Sequence, residues 1–285
     1  MTFLLGIASG ALALALSFGA CAAGGTPKDL VLVHAGTLPI VLTAPHGGRL
    51  DIPDVAKRTA PDAAHAAAFK KWGGFQAGGD PNTDTLALRI SAEIEKLTGH
   101  RPYLVLAKFK RKFVDPNRPA ELAYADPRAA PYYALYHSTI RQFVDDIRRT
   151  YPAGLLLDVH GESKDGDVLM RGTGNGDTVA ALVRRAGAQS VTGRDGLFGQ
   201  LEAQGFKVFP SNHLPLWSGS ENAGFNGGYT VNVYGSQNPD GIDAMQLEFG
   251  SRYRRDDELD RSAVQAAHAI VAFYKAYLEN AKSAR

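Results

Sequence analysis

The stretch from Gly154 to Ser163, Gly-Leu-Leu-Leu-Asp-Val-His-Gly-Glu-Ser, constrains the fold of this chain more than any other. A turn residue leads into three leucines, the pattern of a strand buried on both faces. Such a strand needs helices packed on either side of its sheet, which points to an α/β protein. The same strand ends in Asp158, His160, Glu162 and Ser163. Polar groups at the end of a buried strand are costly unless paired, coordinated or used. In open α/β sheets that end is where ligands bind. Alternation places Asp158, His160 and Glu162 on one face. The histidine is then either a core imidazole with a satisfied hydrogen bond or a metal ligand oriented by neighbouring carboxylates.

The rest of the chain supports one large domain over residues 26–285, with no internal repeat or low-complexity linker. Its 285 residues carry a formal net charge of +2 and are 45% hydrophobic, an ordinary globular balance. The basic residues are scattered apart from Lys108 to Lys112, so nothing marks a nucleic-acid track. Residues 1–25 differ. Phe3 to Ala20 is apolar, small and uncharged, as in an export signal. Ala20-Cys21-Ala22 fits ordinary cleavage, whereas Phe18-Gly19-Ala20-Cys21 resembles a lipobox that would place a lipid on Cys21. Either route predicts an exported protein, periplasmic or lipid-anchored to the cell envelope. Cys21 is the only cysteine, so any metal site in the domain must be built from His, Asp and Glu.

Strands and helices interleave along the domain. Residues 29–34 and 38–44 read as a hairpin or as adjacent strands, and Tyr103 to Ala107 as another strand. Pro81 to Leu97 reads as a helix with Leu86, Ile90, Ile94 and Leu97 on one face and Asp80 as its N-cap. Pro131 to Tyr151 is a second helix, whose aromatic stripe is core. Helices at 178–190 and 197–203 precede a short strand at 206–209. The segments 229–234 and 244–249 alternate like strands. A closing helix covers 257–282, with Leu259, Val264, Ile270, Phe273 and Leu278 inward. The expected architecture is a mixed, mostly parallel sheet flanked by helices.

Four polar clusters sit where these strands run out: His46, Asp115-Pro116-Asn117-Arg118, Asp158 with His160, and Gln246 with Glu248. Two histidines and a carboxylate make a usual catalytic zinc set, and a separate glutamate supplies a base.

In this order the clusters resemble the N-formylglutamate amidohydrolase family, relatives of the zinc carboxypeptidases. Pro45-His46-Gly47-Gly48 is similar to its opening loop. Asp80-x-x-Thr83-Asp84-x-Leu86-Ala87 is similar to the second block, and Arg111-x-x-x-Asp115-x-Asn117-Arg118-Pro119 to the most distinctive one. Asp158-x-His160, then Gly227-Gly228-Tyr229 with Gln246-Leu247-Glu248, complete five blocks across roughly residues 40 to 252.

The resemblance implies a zinc-carboxypeptidase-like (phosphorylase/hydrolase-like) fold and a Zn2+ held by His46, His160 and a third ligand. Zinc carboxypeptidases place a glutamate three residues after the first histidine, where this chain has Arg49. Asp80 is the choice for that ligand, with Asp84 the substitute. Glu248 is the expected general base, with Glu162 its rival. Asn117 and Arg118 would hold a substrate carboxylate, and Arg111 would polarise the scissile carbonyl or add an anchor. Gly228 and Tyr229 would lie against the substrate. Asp115 would position the arginines, and Asp158 would back a ligand.

The expected activity is zinc-dependent amide hydrolysis on a small molecule or short peptide bearing a carboxylate. Two other readings stand beside it. One is an exported metallopeptidase-like enzyme acting on acidic or γ-linked peptides or cell-wall fragments. The other is a non-catalytic lipoprotein binding module. A serine hydrolase using Ser138 or Ser163 lacks the Gly-x-Ser-x-Gly elbow. His34 and His213 are further histidines worth placing. His65, His100, His137 and His268 read as structural.

Overall fold

The computed structural model describes residues 25–221 and 224–281, so the leader and Cys21 lie outside the described residues. The strands are β1 (Val31–His34), β2 (Ile40–Ala44), β3 (Tyr103–Ala107), β4 (Leu155–Glu162), β5 (Leu169–Gly172), β6 (Val208–Phe209) and β7 (Asp243–Gly250). The helices are α1 (Pro27–Leu30), α2 (Ala63–Lys70), α3 (Thr83–Thr98), α4 (Ala120–Ala123), α5 (Ala130–Thr150), α6 (Ala180–Ala186), α7 (Gln189–Thr192), α8 (Leu197–Ala203), α9 (Tyr229–Tyr234) and α10 (Leu259–Tyr277).

The strands form one sheet in the order β1-β3-β2-β4-β7-β5-β6. The four central strands β3, β2, β4 and β7 run parallel, while β1 and β5 join antiparallel. The sheet is therefore mixed and mostly parallel, as expected. The reading of β1 and β2 as a hairpin fails, because β3 lies between them. β1 is a single antiparallel edge strand with a half-exposed outer face, and the Ala35-Gly36 turn signal marks a crossing instead of a tight reversal.

Alternation along β4 assigns its two faces. Leu155, Leu157 and Val159 enter the core that α3, α8 and α10 cover. Leu156 enters the opposite core, where Tyr136, Ile140, Phe143 and Ile147 of α5 lie at helical spacing. Asp158 and His160 share the parity of Leu156, so they emerge on the α5 side just beyond its apolar stripe. Leu97 and Val264 were expected inward but stand 40% and 38% exposed, each at the flank of its helix's apolar face.

Residues 229–234 form helix α9, not a strand. Their β-branched and aromatic side chains suit either state. Burial follows helical spacing, with Thr230, Val231 and Tyr234 inward, and the packing of Val231 and Tyr234 decides the outcome. Asp80 does not cap α3 either. That helix starts at Thr83 behind Asn82, which takes a left-handed conformation with φ of 69°. Two further elements, α2 and β5, carry too weak a periodicity to stand out in the sequence.

Candidate metal centre

The register between β4 and β7 builds half of the site. Asp158 pairs with Gln246 and His160 with Glu248, directly across the ladder. Both pairs lie on the same face, the first level with Thr43 of β2 and the second beyond that strand's end, where the loop after Ala44 carries His46. The Gly79–Asp80 segment runs alongside, held by Asp80 N donating to His46 O at 2.9 Å.

These elements bring His46, Asp80 and His160 together, with one ligand atom from each within 4.8 Å of the others. Asp80 Oδ2 lies 3.2 Å from His46 Nδ1 and 3.3 Å from His160 Nδ1. The imidazole rings meet edge-on, 4.8 Å between centroids. The far nitrogens face carboxylates: His46 Nε2 lies 2.7 Å from Asp115 Oδ1, and His160 Nε2 lies 2.8 Å from Asp158 Oδ2. Both carboxylates fix the tautomer that leaves Nδ1 free to donate an electron pair. Two imidazoles, one carboxylate and two supporting carboxylates form a donor set that fits Zn2+. The three residues fit the ion, and Asp84 is outside the cluster.

Electrostatics agree with this division. Burial alone would raise the Asp80 carboxyl, but His46 and His160 hold it well below its ordinary range. Burial likewise opposes ionisation of Asp115, yet Arg111, His46 and Arg118 keep it well below the usual carboxylate value. Burial would depress His160, but the Asp158 and Asp80 carboxylates push it well above its ordinary value. Glu248 is pushed up to about 7 by burial, against the opposing charge of His160. Its Oε1 lies 4.0 Å from His160 Nδ1 and accepts a hydrogen bond from the Gln246 carboxamide. Gln246 in turn accepts from Gly228 N, so one residue ties the glutamate to the glycine loop.

A cavity of about 360 Å³ opens over this cluster, and Arg111, Asn117, Arg118, Gly228 and Glu248 reach its wall. Arg111 Nε donates to Asp115 Oδ2 at 2.8 Å. Arg118 donates to Asn117 O and Gly74 O. Arg58 comes within 3.6 Å of Asp115. Three guanidiniums thus surround one carboxylate, a surplus of positive charge beside the cavity. Asn117 is held from several sides: its Oδ1 accepts from Thr230 N at 3.0 Å, and its Nδ2 lies 3.4 Å from His160 Nε2. A Cβ on Gly228 would overlap the Asn117 carboxamide, which is why a glycine stands there.

Some expected residues fall elsewhere. Tyr229 does not line the cavity; its ring packs edge-on against Trp72, 5.3 Å between centroids, and Trp72 takes the wall position. Glu162 faces the cavity, but its carboxylate accepts from Lys164 N at 2.7 Å and Asp165 N at 3.0 Å, capping a turn. Arg49 donates to Asn82 Oδ1. His34 ends the edge strand β1, and His213 is exposed and away from the cavity.

Other contributors carry no signal in the sequence. Arg254 donates to Phe249 O, Pro81 O and Glu162 O, at 2.8, 2.6 and 2.8 Å, strapping β7, β4 and the Asp80 segment together. His137 is half-buried, with Nε2 donating to Pro116 O at 2.8 Å and Nδ1 facing the Tyr234 hydroxyl at 3.0 Å. Its ring supports the Asp115–Arg118 loop from behind.

No protein-family model matches the chain, and no curated protein matches it. Solved structures do. N-formylglutamate amidohydrolase from Ralstonia eutropha JMP134 superposes with a TM-score of 0.55 at 16% identity, over 86% of this chain and 97% of that one. The gene product Atu2144 from Agrobacterium tumefaciens superposes with a TM-score of 0.50 at 14% identity, over 88% and 97%. The likeness spans nearly the whole of both chains, so this protein has the fold of N-formylglutamate amidohydrolase.

Proposed function

We propose that this protein is a zinc-dependent hydrolase of an amide bond in a substrate that bears a carboxylate, an activity like that of N-formylglutamate amidohydrolase. The observation that carries the reading is the His46–Asp80–His160 cluster with Asp115 and Asp158 behind its histidines. Zinc held there by His46 Nδ1, His160 Nδ1 and Asp80 supplies Lewis acidity toward water and toward an amide carbonyl.

The chain's own residues do the rest. Glu248, on the strand next to His160, takes a proton from the attacking water and returns it to the leaving nitrogen. Gln246 holds that carboxylate in place from the side facing Gly228. Arg111 lines the cavity with its Nε on Asp115, which orients the guanidinium toward developing negative charge on the carbonyl oxygen. Arg118, with Asn117 setting its loop, supplies charge for the substrate carboxylate. The three-arginine cluster around Asp115 favours an anionic substrate over a cationic one.

Metal analysis of the wild type beside His46→Ala and His160→Ala tests the metal site. About one zinc per chain in the wild type, lost in both variants, is the expected result. Wild type without zinc that is unaffected by chelation is the behaviour of a non-catalytic binding module. Assays on N-formylglutamate against γ-glutamyl peptides then separate the small-molecule reading from the peptidase-like one.

A further inference from the structure

A second cavity of about 620 Å³ continues from the metal centre across α9. The two share Lys71, Trp72, Asn226 and Gly227, so they form one trough with the metal cluster at its inner end. This volume lies within the range of sites that hold organic ligands, and a single formylated amino acid would leave it unused. We propose that the outer groove holds a neutral oligosaccharide portion of the substrate, so that the amide cleaved is one carried on a sugar chain. This deepens the proposed amide hydrolysis and rests on it.

The lining chooses the ligand class. Among the described residues its charged side chains are Lys71 and Asp177, one of each sign, so an acidic polymer gains no net attraction there. Lys71 Nζ also lies 5.1 Å from the centre of the Trp72 ring. The remaining polar side chains are carboxamides: Asn175, Asn226, Asn232, Gln237 and Asn238. Asn232 Nδ2 donates to Gly228 O at 2.8 Å, Gln237 Nε2 to Asn232 O at 2.8 Å, and Asn238 Nδ2 to Asn232 O at 2.7 Å. Each therefore keeps its carbonyl oxygen for a ligand, and Asn232 and Gln237 keep a second N–H as well, a donor and acceptor set suited to sugar hydroxyls. Asn175 adds further donors, since its Oδ1 accepts from Glu221 N at 3.2 Å and its NH2 is left for a ligand.

Of the chain's two tryptophans, Trp72 lines this groove and Trp217 stands against Gly176, which lies between two of its lining residues. Trp72 lines the junction of the two cavities. Trp217 is 59% exposed and stands beside Gly176, where an added Cβ would lie 2.7 Å from its Nε1. The neighbours of Gly176, Asn175 and Asp177, line the outer end. An exposed indole is costly in water and offers a flat face to the C–H side of a pyranose ring. A peptide bound by strand addition would need a free strand edge. The lining comes from α9, the Lys71-Trp72 turn and the loops at 174–177, 226–227 and 237–238, with no strand among it.

Because Trp72 lines the groove and Trp217 stands beside Gly176 at its outer end, intrinsic fluorescence of the full, metal-loaded chain reports binding. N-acetylglucosamine tetramer should give a saturable change at millimolar concentration or below. Trp217→Ala and Gln237→Ala, both at exposed positions, should each weaken it by about fivefold to tenfold. In an amide-hydrolysis assay Trp217→Ala should lower kcat/KM on a sugar-borne amide but leave it within twofold on N-formylglutamate. No saturable change with the tetramer overturns the proposal, as does equal binding in both variants. Tighter binding of a glutamate tetramer than of the sugar overturns it as well. His160→Ala separates the two readings. Sugar binding retained alongside lost zinc leaves both standing, whereas zinc and amide hydrolysis without sugar binding sinks the groove alone.

Discussion

Asp158→Asn isolates the contribution of a carboxylate that backs His160, a ligand of the proposed metal, without being a ligand itself. Asp158 is fully buried; its Oδ2 lies 2.8 Å from His160 Nε2, and its Oδ1 accepts from Thr43 Oγ1 at 2.6 Å. Asparagine fills the same space but carries one acceptor and one donor where the aspartate has two acceptors. If its oxygen stays on Thr43, its amide nitrogen faces His160 Nε2 and drives the imidazole proton onto Nδ1, the ligand atom. If it turns the other way, His160 keeps its tautomer but loses the charged acceptor that makes it basic. Partners of this kind are worth about 10- to 100-fold in metal affinity, or about 1.4–2.8 kcal/mol. Asp115→Asn tests the same role at His46 but in a different setting. There the lost charge also leaves Arg58, Arg111 and Arg118 buried without an opposing carboxylate. Breaking a buried charge cluster from one side costs about 3–5 kcal/mol. The metal-free Asp115→Asn protein should therefore unfold at clearly lower denaturant than metal-free Asp158→Asn. Competition titration of zinc against a chelator measures the affinities, and denaturant melts of the metal-free proteins measure the stabilities. A folded Asp158→Asn protein binding zinc within twofold of wild type would refute the assignment of Asp158 as the orienting partner.

Three further predictions follow from the same geometry. Glu248→Gln should lower kcat by about 10²- to 10⁴-fold while the zinc content stays at the wild-type level, checked by metal analysis beside steady-state kinetics. Gly228→Ala should lower kcat/KM by about tenfold or more, because its Cβ overlaps the Asn117 carboxamide and pushes the loop off Gln246; unchanged kinetics would show that the loop moves freely. His137 is held down to about 4 by burial. It stays neutral in the fold, while the unfolded chain takes up its proton near pH 6.5, so stability is lost as pH falls from about 6.5 toward 4. The full shift corresponds to at most about 3 kcal/mol, and His137→Gln should flatten that part of the stability profile.

How much was legible depended on whether a residue's role is local. The Leu155–Leu157 run, the Tyr136-to-Ile147 stripe and the strand 103–107 follow from periodicity, and each lies close to where the sequence puts it. His46 and His160 stood out as polar groups where strands end, Asp80 only through the resemblance to a family block, and the fold brings one ligand atom from each within 4.8 Å of the others. Asp80 shows the limit of local reasoning: an aspartate before a proline looks like a cap, and it is the family resemblance, not its own surroundings in the sequence, that points to the use its place beside His46 and His160 fits. The helix at 229–234 was misread for a related reason. Its Tyr-Thr-Val-Asn-Val-Tyr composition favours a strand, and tertiary burial overrides it. Arg58, Arg254 and His137 were invisible because their partners are backbone carbonyls or charges brought close only by the fold. The order of the sheet was likewise out of reach, since nothing local to β1 says that β3 will insert beside it.

The pairing of His160 with Glu248 across adjacent parallel strands has a consequence for how activity is acquired. Those residues are 88 positions apart, and parallel strands align only after a long crossover has closed. A slip of one position would put the two side chains on opposite faces of the sheet. The centre therefore arises in a single event with closure of the sheet, and no partly zipped intermediate can hold the ion tightly. Added zinc should raise the melting midpoint of the entire domain instead of protecting a fragment of it.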